Sequence, residues 1–260
     1  GDLVMPSGLW DRFVQLTVGF MQDRGAEIAD VISIHSQDYA DQSDYLRPHR
    51  QKVVAIYPPV EIPQPNPEAV ASWRNELGLD KAKLVGFAGR FVEEKGFDYL
   101  LKAIPLVLGC MPNVKFVYAG DHRVAYERFF ERWQHLVEAN REHLVMLGLI
   151  TDPQKLANFY AMCDVFALPS RTDCFPSVQI EAMLCGTPVV ATNIPGAREV
   201  VRVTQQGLLV EPRNERALAE GLLQVLRERE KYLVPQERIR AIFDPNKSIA
   251  AYERLLQGMV

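Results

Sequence analysis

The 260-residue sequence lacks several features that mark common classes of protein. No apolar run approaches the ~18 residues that a membrane-spanning helix needs. The formal net charge of −4 favours no nucleic-acid partner. The first residues do not show a basic segment followed by an apolar one, which predicts that no signal peptide is present. With 48% hydrophobic and 24% charged residues, the composition is typical of a soluble globular protein, and we expect a cytoplasmic one.

Cysteine is scarce, and its spacing argues against the usual cysteine-based sites. The four cysteines form no C-x-x-C pair, and no two of the five histidines have metal-ligand spacing. We therefore expect no metal site. The thiols are expected to be reduced and mostly buried. The exception is Cys174, which lies within a candidate site.

A proline cluster divides the chain into two unequal parts. Five prolines fall within residues 58–67, which excludes regular structure there and predicts an extended linker. Residues 1–57 supply roughly one helix, one strand and a connection, too little to bury a separate core. We expect this part to be the end of a missing N-terminal domain, or to dock on the domain that follows.

Residues 68–257 alternate between apolar strands and helices. Such alternation is typical of a parallel sheet covered on both faces, and about six strands is the usual size of a doubly wound nucleotide-binding domain. The predicted strands are 84–88, 114–119, 144–147, 165–168, 188–191 and 207–210. The main predicted helices are 68–77, 97–109, 124–139, 153–162, 197–202, 214–230 and 246–257.

Residues 171–188 carry the pattern on which the functional prediction depends. Asp173 lies in a loop, and Glu181 follows it within a run of helical periodicity. Pro176 suits the first turn of that helix, and Gly186 suits a left-handed stop. Carboxylates accept hydrogen bonds from sugar hydroxyls, and a helix N-terminus offers N–H groups to phosphate. This pattern predicts a site for a phosphorylated sugar. Taken singly, Asp173 could instead be an N-cap residue and Glu181 an exposed helical one.

A second polar loop follows the first strand of the large domain. Gly89 lies at the strand end, Arg90 and Lys95 flank the turn, and Gly96 precedes the next helix. Two cations beside a helix N-terminus suit a diphosphate. The spacing is neither G-x-G-x-x-G nor G-x-x-x-x-G-K-[ST], so neither a dinucleotide site nor a P-loop is predicted. A tight turn with solvated charges explains this loop equally well.

Two further loops follow predicted strands of the same sheet. Gly120 begins one of them and Ile150 lies in the other. Either loop could shape a base pocket, and ordinary turn chemistry is an equal interpretation of both.

Several segments resemble, in order, the retaining glycosyltransferases of family 4, which are nucleotide-sugar transferases with the GT-B fold. They are GFAGRFVEEKGFDYLLKAI, FVYAGD, LVMLGLI, CDVFALPS, DCFPSVQIEAMLCGTPVVAT, NIPGAREVV and GLLVEPRNERALAEGLLQVL. The resemblance implies a Rossmann-like doubly wound sheet as the C-terminal half of a GT-B fold. It also implies a remnant of the N-terminal acceptor domain at 1–57, a linker at 58–67, a donor-binding domain at 68–245 and a C-terminal helix at 246–260 that packs back towards the N-terminal domain.

The resemblance implies a role for each matched residue. Arg90 and Lys95 match the pair that holds the donor diphosphate and offsets charge on the leaving group. Glu181 matches the glutamate that binds the ribose hydroxyls. Asp173 stands at the first position of the E-x7-E motif, normally Glu, where the carboxylate contacts the donor sugar. Catalytic roles are thus implied for Arg90, Lys95 and Asp173, and donor binding for Gly89, Arg90, Lys95, Gly120, Ile150, Asp173, Cys174, Phe175, Pro176, Ser177 and Glu181.

The chain departs from the family pattern twice, with Asp for Glu at 173 and Cys for Gly at 174. The implied reaction is transfer of a hexosyl group, with retention, from a nucleotide diphosphate sugar to a saccharide, lipid-linked or small-molecule acceptor. No cofactor or metal is implied, because cationic side chains neutralise the diphosphate.

The acceptor site belongs to the missing domain, so the fragment alone is expected to be inactive. The missing domain also leaves open a peripheral association with a membrane. Two alternatives remain for the function. One is a non-catalytic nucleotide-sugar-binding module, in which Asp173 and Cys174 mark lost catalysis. The other is a sugar-nucleotide epimerase of the same architecture.

Overall fold

The computed structural model describes residues 9–122, 124 and 127–258, and the side chains from residue 12 onward. The strands in this part are β1 (Ile32–Ile34), β2 (Val53–Ala55), β3 (Lys83–Ala88), β4 (Val114–Ala119), β5 (Leu144–Gly148), β6 (Val165–Leu168), β7 (Val189–Thr192) and β8 (Gly207–Val210). The α-helices are α1 (Leu9–Ile28), α2 (Gln37–Gln42), α3 (Pro67–Glu76), α4 (Phe97–Cys110), α5 (Phe129–Ala139), α6 (Pro153–Met162), α7 (Ser177–Leu184), α8 (Ala197–Thr204), α9 (Glu215–Arg227), α10 (Gln236–Ile242) and α11 (Pro245–Leu256).

The large sheet has six parallel strands in the order β5-β4-β3-β6-β7-β8. This confirms the predicted doubly wound sheet. The chain first moves outward from β3 to β5, then crosses back to β6 and moves outward in the other direction. The strand order therefore reverses between β3 and β6, and the crevice beyond their carboxyl ends is where open α/β sheets bind ligands.

Both faces of the sheet are buried. Leu84 of β3 packs in the cluster formed with α6 and α7, whereas Val85 and Phe87 pack in the cluster formed with α4 and α9. Successive residues of a strand point to opposite faces, so a strand covered on both sides must be apolar throughout. This is why the strand pattern could be found from the sequence.

The N-terminal segment forms a parallel pair, β1 with β2, beside the long helix α1. Residues 58–66 form neither helix nor strand, as the prolines predicted, whereas Pro67 begins α3. The segment contacts the large domain through α2, where Asp38 pairs with Arg198 on α8 at 2.7 Å. Its assignment as the remnant of an N-terminal domain stays a prediction.

The structure differs from the sequence predictions at two helices. The helix expected from residue 124 begins at Phe129, because the carboxylate of Glu127 instead accepts the Glu93 N–H at 2.6 Å. The helix α10 was not expected, and it places Ile239 in the core. The helix α1 runs without a break through Gly25.

Candidate functional site

The loops predicted to form the site lie at one edge of the sheet. The N–H of Gly89, after β3, donates to the carbonyl of Ala119 at 3.0 Å, and the N–H of Gly120, after β4, donates to the carbonyl of Gly148 at 2.8 Å. These bonds continue the strand pairing one residue beyond the strands. They align the loop after β3 with the loop that begins at Gly120 and the one that contains Ile150.

The turn that carries Lys95 is pressed against the loop after β6. Gly96 has a φ of 66°, and a Cβ placed there would collide with the carbonyl oxygen of Pro169. Only glycine combines this left-handed conformation with such a close backbone approach. The two loops therefore meet at the point where the strand order reverses.

The ammonium of Lys95 lies 2.6 Å from the Asp173 carboxylate. The side chain of Asp173 is 8% exposed and that of Lys95 23%. Burial raises the pKa of Asp173 above its ordinary value, while Lys95 and the N–H of Phe175 act against this shift. The interpretation of Asp173 as an N-cap is wrong, because Pro176 occupies the N-cap position of α7.

Arg90 lies on the same turn as Lys95 and shares a partner with it. The Glu94 Oε1 atom is 3.0 Å from the Arg90 guanidinium and 3.7 Å from the Lys95 ammonium. Arg90 is half exposed. One carboxylate oxygen thus stands between the two cations, at a position suited to a phosphate oxygen.

Glu181 lies on α7 and accepts a hydrogen bond of 2.6 Å from the hydroxyl of Tyr160, which is buried. Burial raises the pKa of Glu181 above its ordinary value, and the bond from Tyr160 opposes this shift. The interpretation of Glu181 as an exposed helical residue is therefore wrong. Its half-buried carboxylate is held in place and can accept further hydrogen bonds.

The residues between Asp173 and Glu181 open the helix α7. The first turn, from Ser177, receives no side-chain cap, and the N–H of Gln179 donates to the carbonyl of Pro176 at 3.3 Å. Cys174 is exposed, and the ring of Phe175 stacks on that of Tyr57, with centroids 5.5 Å apart. Cys163 and Cys185 are buried and Cys110 is exposed, so the expectation of mostly buried thiols was correct for only two of the four.

Gly196 supports the loop that carries Asp173 and Cys174. It has a φ of 81°, it pairs with Asp173 in an isolated parallel bridge, and a Cβ there would collide with the Cys174 carbonyl. The backbone after β7 therefore fixes the loop after β6.

The base-pocket residues lie at the same edge but differ in their surroundings. Ile150 packs against the core, next to the exposed side chain of Leu149. Gly120 approaches Gly89 so closely that a Cβ would collide with the Gly89 carbonyl. The structure places both near the strand ends, and their contact with a base stays a prediction.

The sequence did not single out two ion pairs beside the site. Arg171 binds the buried carboxylate of Asp98, which is 73 positions away in the chain. Arg198 binds Asp38, 160 positions away. The partners of each pair are far apart in the sequence, so no local pattern marks them. Only the folding of the chain brings the partners together.

Residues 70–241, about two thirds of the chain, match the family described as glycosyl transferases group 1. The chain belongs to this family. It is 30% identical over 206 residues to D-inositol 3-phosphate glycosyltransferase of Corynebacterium urealyticum, covering 76% of this chain and 49% of that protein. It is 33% identical over 168 residues to the GDP-mannose-dependent monoacylated alpha-(1-6)-phosphatidylinositol monomannoside mannosyltransferase of Corynebacterium glutamicum, covering 62% and 42%. This group 1 chain thus spans less than half the length of either relative.

Solved structures of glycosyltransferases share the fold of this chain. Sucrose-phosphate synthase from Thermosynechococcus elongatus has a TM-score of 0.78 and 25% identity, with 94% of this chain and 62% of that chain covered. Anabaena HepE, solved with UDP-glucose, has a TM-score of 0.82 and 22% identity, with 95% and 69% covered. The parallel six-stranded sheet is therefore the Rossmann-like fold of GT-B proteins.

The described residues lack two features. None of their helices is both long and apolar enough to cross a membrane. In the same part of the chain, no group of three or more His, Cys, Asp or Glu side chains is arranged to hold a metal ion.

Proposed function

We propose that residues 68–245 bind the donor of a retaining glycosyltransferase, a nucleotide diphosphate sugar. The single observation that carries this proposal is the Lys95–Asp173 pair, 2.6 Å long, which joins the two loops at the reversal point of the sheet. A cation for phosphate and an acceptor for sugar hydroxyls thus lie side by side. In this proposal residues 1–57 are the remnant of an acceptor domain, residues 58–67 link it to the donor domain, and residues 246–260 form the helix that returns to it.

The donor would be recognised in three parts. Arg90 and Lys95 bind the diphosphate, whose oxygens replace the Glu94 carboxylate that now stands between them. The uncapped N–H groups at the start of α7 add a positive dipole. Glu181, held by Tyr160, accepts hydrogen bonds from the ribose hydroxyls.

The remaining site residues complete the donor pocket. Asp173 accepts hydrogen bonds from the transferred sugar, and the backbone of residues 174–177 lies alongside it. Gly89 lets the diphosphate approach the chain closely. Gly120 and Ile150 border the base.

The proposed transfer keeps the configuration at the anomeric carbon. The bond between that carbon and the diphosphate oxygen breaks, and its electron pair leaves with the nucleoside diphosphate. An acceptor hydroxyl bonds to the anomeric carbon from the same face and gives its proton to the departing phosphate oxygen. Arg90 and Lys95 stabilise the charge that develops on that oxygen, an effect that is usually the largest single contribution in such sites. The two cations do the work of a metal ion, so the proposal requires none.

The names of similar proteins support a nucleotide diphosphate sugar as the donor and suggest which donors to test. One carries the words GDP-mannose-dependent in its name, and HepE was solved with UDP-glucose. The acceptor is proposed to be a saccharide, a lipid-linked sugar or a small molecule, bound largely by the half of the relatives that this chain does not span. We propose that the chain alone binds donor without transferring the sugar.

Calorimetry with UDP-, GDP- and ADP-sugars tests the proposal. Wild type should bind one nucleotide class, and Lys95→Ala should weaken that binding about tenfold or more, since a charge-assisted hydrogen bond contributes about 1.5–3 kcal/mol. The matched control is Lys83→Ala, which removes the Lys83–Asp164 pair of 2.9 Å from the opposite edge of the sheet. No binding by wild type, or equal losses in the two variants, would contradict a donor site at Lys95.

A further inference from the structure

The loop after β6 is tied to the turn that carries Lys95 by Arg171. Its guanidinium binds Asp98 with two parallel bonds, Nη1 to Oδ1 and Nη2 to Oδ2, both 2.8 Å. Nη1 also donates to the carbonyl of Glu93 at 2.5 Å. The backbone N–H of Arg171 donates to the carbonyl of Glu94 at 2.7 Å. Four bonds from one residue therefore reach the turn and the first turn of α4.

The pair of Arg171 with Asp98, called the clamp below, is stiff because it is buried and packed against other side chains. The side chain of Asp98 is 1% exposed and that of Arg171 is 13% exposed. The guanidinium lies 4.4 Å from the ring centroid of Tyr99, and the ammonium of Lys102 lies 3.4 Å from Asp98. A bidentate pair of planar groups fixes both distance and orientation, and burial removes the water that would compete for it.

The clamp is next to the pair that carries the proposed function. Arg171 stands two residues before Asp173, and Glu94 immediately precedes Lys95. Moving either segment by about 1 Å would separate the ammonium from the carboxylate. Neither Arg171 nor Asp98 is placed in direct contact with the donor in the proposed binding mode.

We propose that Arg171 and Asp98 are positioning residues that hold Lys95 against Asp173 and thereby set the spacing between the diphosphate and sugar ends of the donor site. The proposal rests on the donor site proposed above. It predicts a selective effect on binding. Loosening the clamp should weaken binding of the diphosphate, while binding of the ribose at Glu181 should be kept. A pair that served only stability would weaken both ends together.

A second arginine provides a matched control at the opposite edge of the sheet. Arg74 donates to the carbonyl of Met162 at 2.7 Å and to that of Ala82 at 2.8 Å. It therefore joins the segments before β6 and β3, as Arg171 joins the segments after them. Its side chain is also largely buried, 21% exposed. Arg→Lys at either position keeps the charge and removes the fork of donors.

The test compares Arg171→Lys with Arg74→Lys in two measurements. The first needs no ligand: carbon-13 NMR of the Asp173 carboxyl should show a higher pKa in Arg171→Lys, because the neighbouring ammonium moves away, and the wild-type pKa in Arg74→Lys. The second is NMR titration with UDP, GDP and ADP and with the matching nucleosides. For the nucleotide that wild type binds, Arg171→Lys should weaken diphosphate binding about tenfold or more, since a misplacement of about 1 Å in such sites has large effects. Its nucleoside affinity should stay unchanged.

Each outcome decides one of the two proposals. If wild type binds none of the nucleotides, the proposed donor site is contradicted. The pKa of the Asp173 carboxyl still tests the clamp in that case, because its measurement needs no ligand. If folded Arg171→Lys keeps both the wild-type carboxyl pKa and the wild-type diphosphate affinity, the clamp is overturned. Equal losses of diphosphate and nucleoside overturn it as well, since they indicate general loosening. Should Arg171→Lys not fold, Asp98→Asn, which keeps one acceptor oxygen, is measured in the same way.

Discussion

The hydroxyl of Tyr160, on α6, donates a hydrogen bond of 2.6 Å to the carboxylate of Glu181, on α7. The tyrosine ring is fully buried in the core beneath the site. The bond stabilises the charged form of Glu181, whose pKa burial raises. A core residue thus orients a proposed ribose ligand and opposes the rise of its pKa.

Replacement of Tyr160 by Phe should expose this dependence. Loss of the hydroxyl raises the pKa of Glu181 further, so donor affinity should fall most at acid pH, where the neutral form accumulates. Calorimetry with the bound nucleotide at about pH 5 and about pH 8 measures the difference. Tyr232→Phe, which disturbs only a bond to Gln224, is the control. The same small loss at both pH values would show that Tyr160 acts through packing alone.

Glu181→Gln should separate stability from binding. Burial raises the pKa of Glu181 in the folded protein above its pKa in the unfolded chain. Such a group contributes stability at pH values below the unfolded pKa, and this contribution is lost as the pH rises through the folded pKa. Above the unfolded pKa, the raised pKa of Glu181 therefore opposes folding, and the neutral amide should raise the Tm at pH 7. The gain should disappear below the unfolded pKa of about 4.3. Donor affinity should fall at pH 7 despite the higher Tm, and a variant with a lower Tm at pH 7 would contradict the argument.

Cys174 offers a direct report on occupancy. Its thiol is exposed within the candidate site, and Cys110 is exposed at the end of α4, which leads to the amino end of β4. Bound nucleotide diphosphate sugar should slow alkylation of Cys174 by iodoacetamide several-fold and leave that of Cys110 unchanged. Mass spectrometry of the two peptides gives both rates. Equal protection of both thiols, or of neither, would place the ligand elsewhere.

Gly196→Ala tests the support of the loop that carries Asp173 and Cys174. The new Cβ would collide with the Cys174 carbonyl, and the φ of 81° disfavours any side chain, so unfolding free energy should fall by at least about 1 kcal/mol. Gly25→Ala is the opposite case, because a Cβ in that helix meets nothing within 4 Å, and it should stabilise by about 0.5–1 kcal/mol. Urea unfolding measures both. A neutral Gly196→Ala would mean that the loop adjusts freely.

Donor binding is expected to be independent of divalent metal. The proposed diphosphate ligands are the cations Arg90 and Lys95, which already flank a carboxylate oxygen. Calorimetry after exhaustive treatment with EDTA should therefore return the untreated affinity. A large loss, restored by adding Mg²⁺ or Mn²⁺, would show that a metal completes the site. The affinity for the matching nucleoside, which has no diphosphate, separates a metal bound with the diphosphate from one that stabilises the fold.

Much of the architecture followed from the sequence because its signals are local. Strands buried on both faces must be continuous apolar runs, and those from Val114 to Ala119, Val165 to Leu168 and Gly207 to Val210 were predicted to the residue. Gly186 ends α7 with a φ of 81°, as its position after a helical run predicted. The start of α5 was missed, since the side chain of Glu127 bonds to another segment, which no local pattern reveals.

The sequence by itself determined the family, the parallel sheet and the residue types of the site: two cations after β3, and two carboxylates around the start of α7. Only the tertiary structure decided which of them touch. It paired Lys95 with Asp173 across 78 positions and placed Arg171 on Asp98 beside them. It also set Tyr160 under Glu181. Secondary structure depends on neighbours a few residues apart, whereas these contacts depend on how the strand order reverses between β3 and β6, which brings distant loops to one edge.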